Sequence, residues 1–267
     1  MIKVVVCGGC GKMGSKVAQL IYQNKDMRLI GIIESSSHPD IGKDWGMSLG
    51  LGKTDITIKN NLEEIIPVTD QIVEFTNPQV SIQHLKIVSK YKKAMIIGTT
   101  GFSSEEIETI NKLAQGIPFL LSPNMSLGVN LLFKLAAETA AALGDDYDIE
   151  IVEAHHRFKK DAPSGTAKKL AQQIAKAKGV NPDEVVIYGR EGMIGERKRG
   201  EIGIHSIRGG DITGEHTVMF TALGERLELT HKAHSRDTFA YGTIQAIKFM
   251  EGKSAGFYEM EDVLNIK

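Results

Sequence analysis

The stretch Ile2-Lys3-Val4-Val5-Val6-Cys7-Gly8-Gly9-Cys10-Gly11-Lys12-Met13-Gly14 sets the fold. A short apolar, β-branched run reads as a buried strand. Gly9-x-Gly11-x-x-Gly14 leads out of it into a helical pattern over Lys12–Lys25, with Val17, Leu20 and Ile21 on one face. The first glycine of such a turn makes the bend, the second lets backbone approach a pyrophosphate, and the third permits close helix–strand packing. Glu34 ends the next strand, Leu29–Ile33, 20 residues beyond Gly14. A carboxylate there accepts from the ribose hydroxyls of an adenosine. The glycine spelling is common in turns; strand, helix and acid at these distances make it a dinucleotide turn, with Gly8, Gly9, Cys10, Gly11, Lys12 and Met13 around the phosphates.

Further strands are predicted over Gln71–Phe75, Met95–Ile97 and Pro118–Leu121, and helices over Val80–Tyr91 and Ser103–Gln115. This alternation predicts an α/β fold, a Rossmann-like doubly wound parallel sheet. The pattern changes after Met125. A long helix over Leu127–Leu143 and a half-buried strand over Tyr147–Ala154 precede a helix over Ser164–Lys178. Strands follow over Glu201–Ile207, Glu215–Ala222 and Arg226–Thr230, expected to be antiparallel and joined at Gly209-Gly210 and Gly224-Glu225. That order predicts a second α+β domain with an open mixed sheet. The expected division is a dinucleotide-binding domain over 1–126 and a second domain over 127–236, with the last helix, in 237–267, returning to the first.

The 267 residues give room for two modest cores. With 32 basic and 33 acidic residues the net charge is −1, so no overall field recruits nucleic acid or an anionic membrane. Uninterrupted apolar runs such as Ala94–Ile97 and Ile117–Leu121 fall far short of the roughly 20 residues of a membrane span. The first residues enter a strand without a signal-peptide pattern, so a cytoplasmic protein is expected. The two cysteines, Cys7 and Cys10, spell C-x-x-C. They flank glycines already assigned to the turn and lack the further ligands of a structural zinc, so neither redox nor metal chemistry is expected of them.

Glu34 repels a 2′-phosphate, and Ser35-Ser36-Ser37 supplies no arginine to offset it, so NADH is favoured over NADPH, with Lys12 a possible phosphate contact. Two loops follow strand C-termini, the side on which open α/β sheets bind ligands. These are Gly98-Thr99-Thr100-Gly101 and Ser122-Pro123-Asn124-Met125, whose small and polar residues suit a nicotinamide and its carboxamide.

The chemistry is concentrated in Glu153-Ala154-His155-His156-Arg157-Phe158-Lys159-Lys160-Asp161-Ala162-Pro163-Ser164-Gly165-Thr166. Imidazole titrates near working pH, lysine is a cationic donor, and a helix capped by Ser164 offers N–H groups to an anion. A carboxylate or phosphate site with a proton source is expected. Hydride transfer to a C=N or C=C bond leaves charge that a proton must neutralise, from Lys159 or His155. Arg236 suits a carboxylate bidentately. His216 and His231 lie in strand patterns and read as structural.

These motifs resemble one family over essentially the whole chain: 4-hydroxy-tetrahydrodipicolinate reductase, or dihydrodipicolinate reductase, of the bacterial diaminopimelate–lysine pathway. Carrying the resemblance are Lys12-Met13-Gly14, Gly98 to Phe102, Ser122 to Ser126, Glu153 to Arg157, Asp161 to Thr166, Arg208-Gly209-Gly210-Asp211 with Gly214-Glu215-His216, and Ser235-Arg236. The resemblance implies that 237–267 completes the first domain and that 127–236 is a substrate-binding and oligomerisation domain, in a homotetramer that reduces a hydroxylated dicarboxylate, with loss of water, at the expense of NADH or NADPH. It implies His155 as proton donor and acceptor, and Lys159 as proton donor. It assigns His156, Gly165, Thr166 and Arg236 to the substrate, and Gly8–Met13, Glu34, Gly98–Thr100 and Ser122–Met125 to the cofactor. Lys12 and Ser35 stand where arginines are common in the family, and Phe158 where a third histidine often stands. A cofactor-sensing protein without turnover is the alternative, but it would be expected to lose the proton donors, which are present. An acyl-transferring semialdehyde dehydrogenase needs a cysteine nucleophile, and both cysteines lie in the glycine turn.

Overall fold

β1 (Ile2–Cys7) is buried at every position but Lys3, as a central strand of a parallel sheet covered on both faces should be. The computed structural model describes residues 1–266, which divide into two compact units. The first comprises Met1–Ser126 and Phe239–Asn265, and the second Leu127–Thr238.

In the first unit, β1 turns through Gly8–Gly11 into α1 (Lys12–Gln23), which buries Gly14, Val17, Ala18 and Ile21. Leu20, expected on that face, is only half-buried. The helix stops before Asn24, whose extended backbone caps it, and β2 (Met27–Ile33) starts two residues earlier than its apolar run predicts. A one-turn helix α2 (Trp45–Ser48) and a two-residue strand β3 (Ile58–Lys59) follow. Then come β4 (Gln71–Glu74), α3 (Pro78–Lys90), β5 (Ala94–Ile97), α4 (Ser104–Leu113) and β6 (Pro118–Leu121). Asn77 and Ser103 cap α3 and α4 through their side chains, the latter in a full capping box with Glu106.

The second unit runs through α5 (Leu127–Leu143), β7 (Asp148–His155), α6 (Gly165–Ala177), α7 (Pro182–Val185), β8 (Val186–Tyr188), β9 (Ile202–Arg208), β10 (Gly214–Ala222) and β11 (Glu225–Ala233). The chain closes with α8 (Asp237–Met250), β12 (Gly256–Tyr258) and α9 (Met260–Leu264). The first unit's sheet has seven parallel strands in the order β12-β6-β5-β4-β1-β2-β3. Its order reverses at β1/β4, which places the glycine turn at the switch point where such sheets bind dinucleotides. β12, α2, α7, α9 and the short strands β3 and β8 carry too few residues for a periodic signal and were not expected from sequence.

The second sheet is mixed, with order β11-β10-β7-β9-β8. Here the sequence reading needs correction. β9 and β10 run in opposite directions, but they are not neighbours: β7 lies between them, parallel to β9 and antiparallel to β10. The Gly209-Gly210 segment is therefore no hairpin but a crossing past the end of β7, fastened by Gly209 N–H to the His155 carbonyl and Arg157 N–H to the Gly210 carbonyl. β7 gains a partner on each side this way, which buries Ile149 and Ile151 completely under α5 and α6. Among the described residues, only β10 and β11 form a true hairpin, turning at Gly224 with φ +92°.

The segment Leu127–Asp146 is long and apolar enough, by composition, to cross a membrane. Its Val129, Leu132, Phe133, Ala136 and Ala140 pack into the second unit's core with Phe220 and Ile174, the position of a core helix. Fully burying a side chain of this size contributes about 1.5–3 kcal/mol.

Candidate active site

The glycine turn is shaped by backbone. Gly8 adopts φ +77°, and a Cβ on Gly14 would sit 2.0 Å from the Gly8 carbonyl oxygen, so α1 approaches β1 more closely than any side chain allows. Gly11, at the N-cap of α1, offers no side chain to the first-turn N–H groups. An uncapped helix start at a glycine turn fits a pyrophosphate. Glu34 Oε1 accepts from Cys10 N–H at 2.7 Å, which ties the end of β2 to the turn. Burial and the nearby Glu34 push the Cys10 thiol up to about 12, so it stays protonated and is no redox nucleophile at neutral pH. Lys12 and Met13 begin the helix, with Lys12 exposed.

A cavity of about 410 Å³ opens beside this turn, lined by Gly8, Gly11, Glu34, Ser35, Thr76 and His84, among others. Phe75, Asn77, Val80 and Gln83 contribute too, and sequence reasoning missed this wall of the cavity. The signal was present: Glu74-Phe75-Thr76-Asn77-Pro78 is a strand end followed by an Asn N-cap and a Pro at the first helical position. Beneath it, β1–β4 register sets Cys7 beside Glu74. With His84 their ligand-type atoms lie within 4.8 Å of one another. The buried Glu74 carboxyl binds His84 Nδ1 at 2.7 Å and the Thr76 hydroxyl, so the group is satisfied internally by hydrogen bonds.

The two loops expected at the nicotinamide sit at the ends of β5 and β6, and several of their polar side chains also bond within the fold. Thr99 is buried, its hydroxyl accepting from Ser81 at 2.9 Å. The Ser122 hydroxyl donates to the Asn124 carbonyl at 2.8 Å, and Asn124 Oδ1 accepts from Ser126 N–H at 2.9 Å. Thr99, Ser122 and Asn124 thus also carry bonds of the fold itself. Gly98, Thr100 and Pro123 leave backbone and one exposed hydroxyl, while Met125 is buried. A Cβ on Gly98 would meet the Phe75 ring at 2.2 Å.

In the second unit the polar cluster continues the core face of the sheet. Ile149, Ile151, Glu153 and His155 alternate along β7, so all four point to one side. Register puts His216 opposite Glu153 on β10, and Arg208 opposite His155 on β9. Where the neighbouring layers are apolar, this last layer is charged. Glu153 is fully buried and binds Arg208 through both oxygens at 2.8 Å, His155 Nδ1 at 2.5 Å and Ser164 N–H at 3.1 Å. Burial opposes ionisation of Glu153, but the bonds from Arg208, Ser206, His155 and Ser164 bring its carboxyl down to about 2. Burial lowers His155, against the pull of Glu153. Burial, with help from His155, takes His216 down to about 3, so its ring is neutral.

Ser164 caps α6 by accepting from Ala167 N–H at 3.1 Å, and its hydroxyl also bonds His216 Nε2 at 3.0 Å. Gly165 and Thr166 occupy the first two helical positions, with nothing within 4 Å of where a Gly165 Cβ would stand. A helix start of this kind, tied to His155 through Ser164 and Glu153, presents N–H groups of the sort that suit an anion. His156 follows the end of β7, and its buried Nδ1 has no partner among the described residues. Lys159 Nζ pairs with Asp161 Oδ1 at 2.9 Å. Arg208 also donates to the Asp161 carbonyl at 2.7 Å, fastening the polar loop to the cluster. Lys160 is exposed, as expected of a solvated charge. Arg236 lies exposed in the turn before α8, outside this bonded cluster. Glu153 and Arg208 are the site residues that sequence reasoning did not single out for a role: Glu153 reaches His155 by strand alternation, and only cross-strand register brings Arg208 to them.

Residues 2–125 match the family description "Dihydrodipicolinate reductase, N-terminus", and residues 128–264 match "Dihydrodipicolinate reductase, C-terminus". The chain belongs to the dihydrodipicolinate reductase family. Among curated relatives, the 4-hydroxy-tetrahydrodipicolinate reductase of Syntrophus aciditrophicus is 51% identical and that of Geotalea uraniireducens 45%, each over 100% of both chains. A dipicolinate-bound dihydrodipicolinate reductase from Paenisporosarcina sp. TG-14 superposes with a TM-score of 0.79 at 26% identity, covering 100% of both chains. The amine dehydrogenase of Mycobacterium smegmatis, at 15% identity and a TM-score of 0.62 over 97% of this chain and 95% of its own, shares the fold alone. Members of this family are NAD(P)-linked oxidoreductases, and the glycine turn at the switch point of the sheet is the corresponding feature here.

Proposed function

We propose that the protein reduces 4-hydroxy-2,3,4,5-tetrahydrodipicolinate to 2,3,4,5-tetrahydrodipicolinate, with loss of water, in the diaminopimelate route to L-lysine. The observation that carries this reading is the buried Glu153–His155 pair joined, through Ser164, to an open helix start, in a chain matching the reductases along its whole length. A bound nicotinamide supplies hydride. The first unit is the cofactor domain, with Gly8–Met13 and Glu34 holding the adenosine and phosphates, and Gly98–Thr100 and Ser122–Met125 lining the nicotinamide end mainly through backbone. The second unit binds substrate. Gly165, Thr166 and His156 take its carboxylates, with Arg236 as a further contact, and His155 and Lys159 handle the proton that follows reduction.

Glu34 without a following arginine supports NADH as the preferred donor, with NADPH used less well. The outer edge of β11 pairs with no strand among the described residues, and Leu223, Leu227 and Ile207 are exposed on the second unit. This supports assembly through that unit, taken as the homotetramer that the family resemblance implies, and a cytoplasmic place is part of the same proposal. The test is NADH oxidation with substrate generated in situ by the preceding synthase, beside light scattering for the mass. A purified protein that binds NADH but does not turn over that substrate would refute the reading.

A further inference from the structure

We propose that Glu153 and Arg208 act together as a positioning pair that fixes the protonation geometry of His155, presenting Nε2 as its proton-exchanging atom. The inference rests on the reading that His155 handles a proton, and it adds residues to which no role has been given.

An ionised carboxylate can only accept hydrogen bonds. Glu153 is ionised and enclosed, so the 2.5 Å contact to His155 Nδ1 requires that Nδ1 carry the hydrogen. In the neutral ring Nε2 then holds the lone pair, and in the cation Nε2–H is the proton released. Space is reserved on that side: a Cβ on Gly214 would lie 3.2 Å from His155 Nε2, tighter than an ordinary contact. Glycine at that position keeps the nitrogen accessible.

Arg208 has two tasks. Its fork engages both Glu153 oxygens at 2.8 Å, so the carboxylate cannot rotate and stays charged. The same guanidinium holds the Asp161 carbonyl at 2.7 Å, and so fixes the loop that carries Lys159. One buried ion pair thereby orients both proposed proton groups. A carboxylate behind an imidazole that sets its tautomer and supports the imidazolium is a recurring catalytic arrangement. Four charged or titratable groups face His155: Glu153 on its own strand, Arg208 on β9, His216 on β10 with ring centroids 5.2 Å apart, and Lys159 in the following loop. Glu153 is the anion in hydrogen-bond contact with the ring and favours the imidazolium, while Asp161 stands behind Lys159 as its ion-pair partner.

The test combines ¹⁵N NMR of His155 with steady-state kinetics of wild type, Glu153→Gln, Glu153→Asp and Arg208→Lys. In wild type, neutral His155 is expected as the Nδ1–H tautomer. In Glu153→Gln the amide can donate to Nδ1, the ring changes to Nε2–H, and kcat falls on the order of 10- to 100-fold, the size of effect seen when a histidine's outer partner is removed. KM for NADH stays within about twofold, and the alkaline limb of the kcat–pH profile moves to lower pH. Glu153→Asp recovers part of kcat, and Arg208→Lys keeps the tautomer while lowering kcat. Wild-type His155 found as Nε2–H overturns the proposal without any variant having to fold. A folded Glu153→Gln enzyme with wild-type kcat and pH profile overturns it as well. The tautomer readout needs no turnover, so a chain inactive on the substrate, with His155 still Nδ1–H, sinks the assigned reaction and leaves the positioning geometry standing.

Discussion

The Glu34 carboxylate accepts a hydrogen bond from the Cys10 backbone at 2.7 Å, so the acid that ends β2 is fixed against the glycine turn that begins α1. Its negative charge therefore has a set place beside the cavity shared by Gly11, Ser35 and Ser36. A 2′-phosphate entering there meets Glu34 with no arginine in the following three residues. The protein is expected to show a lower KM for NADH than for NADPH. Ser35→Arg should improve kcat/KM for NADPH about tenfold, equivalent to about 1.4 kcal/mol. Equal use of both cofactors by the wild type would contradict this account.

Lys159 is held by Asp161 in the loop that Arg208 fastens. Lys159→Ala is expected to lower kcat on the order of 100-fold or more, the size of a general-acid contribution. NADH affinity, measured by fluorescence titration, should change by less than about twofold. Near-normal turnover would remove the lysine from the proton chemistry.

Gly14 has no room for a methyl group, because the obstacle is the Gly8 carbonyl and not a movable side chain. Gly14→Ala is expected to cost about 1–3 kcal/mol, the usual scale of overpacking, and to weaken NADH binding by displacing α1. Chemical denaturation and cofactor titration on the same variant test both effects.

Acid should destabilise the second unit in two stages. His216 is lowered from 6.5 to about 3 in the fold, so between those values the unfolded chain binds more protons and stability falls as pH drops. The slope for one group is about 1.4 kcal/mol per pH unit, which gives about 2 kcal/mol between pH 6.5 and 5. Glu153, lowered from 4.5 to about 2, contributes fully above 4.5, and that contribution is lost as pH falls through 2. Urea denaturation from pH 7 to pH 5 should show the first stage. His216→Gln should flatten it, and an unchanged slope in that variant would count against the buried neutral histidine.

Much of the fold was legible because its signals are local. The Ile2–Gly14 stretch contains a strand, a turn that only glycine can form and a helix start, each within a few residues of its cause. α5 and α6 are long enough for periodicity to show, and Ser164 declared its own cap. The pairing of β9 and β10 was misread because alternation gives a strand's faces and not its neighbours. The Gly209-Gly210 link looks like a hairpin until β7 is seen to need a partner on each side.

The candidate site divides along the same line. Sequence alone determined the residue types, the dinucleotide turn and the concentration of His155, His156 and Lys159 before a helix, since these are set by contiguous residues. Tertiary structure decided which groups touch. Cross-strand register brought Arg208 and His216, more than fifty residues away, onto Glu153 and Ser164, and packing against Ser81 took up Thr99. A hydrogen bond depends on donor–acceptor distances set to within a few tenths of an ångström, and no spacing along the chain encodes them.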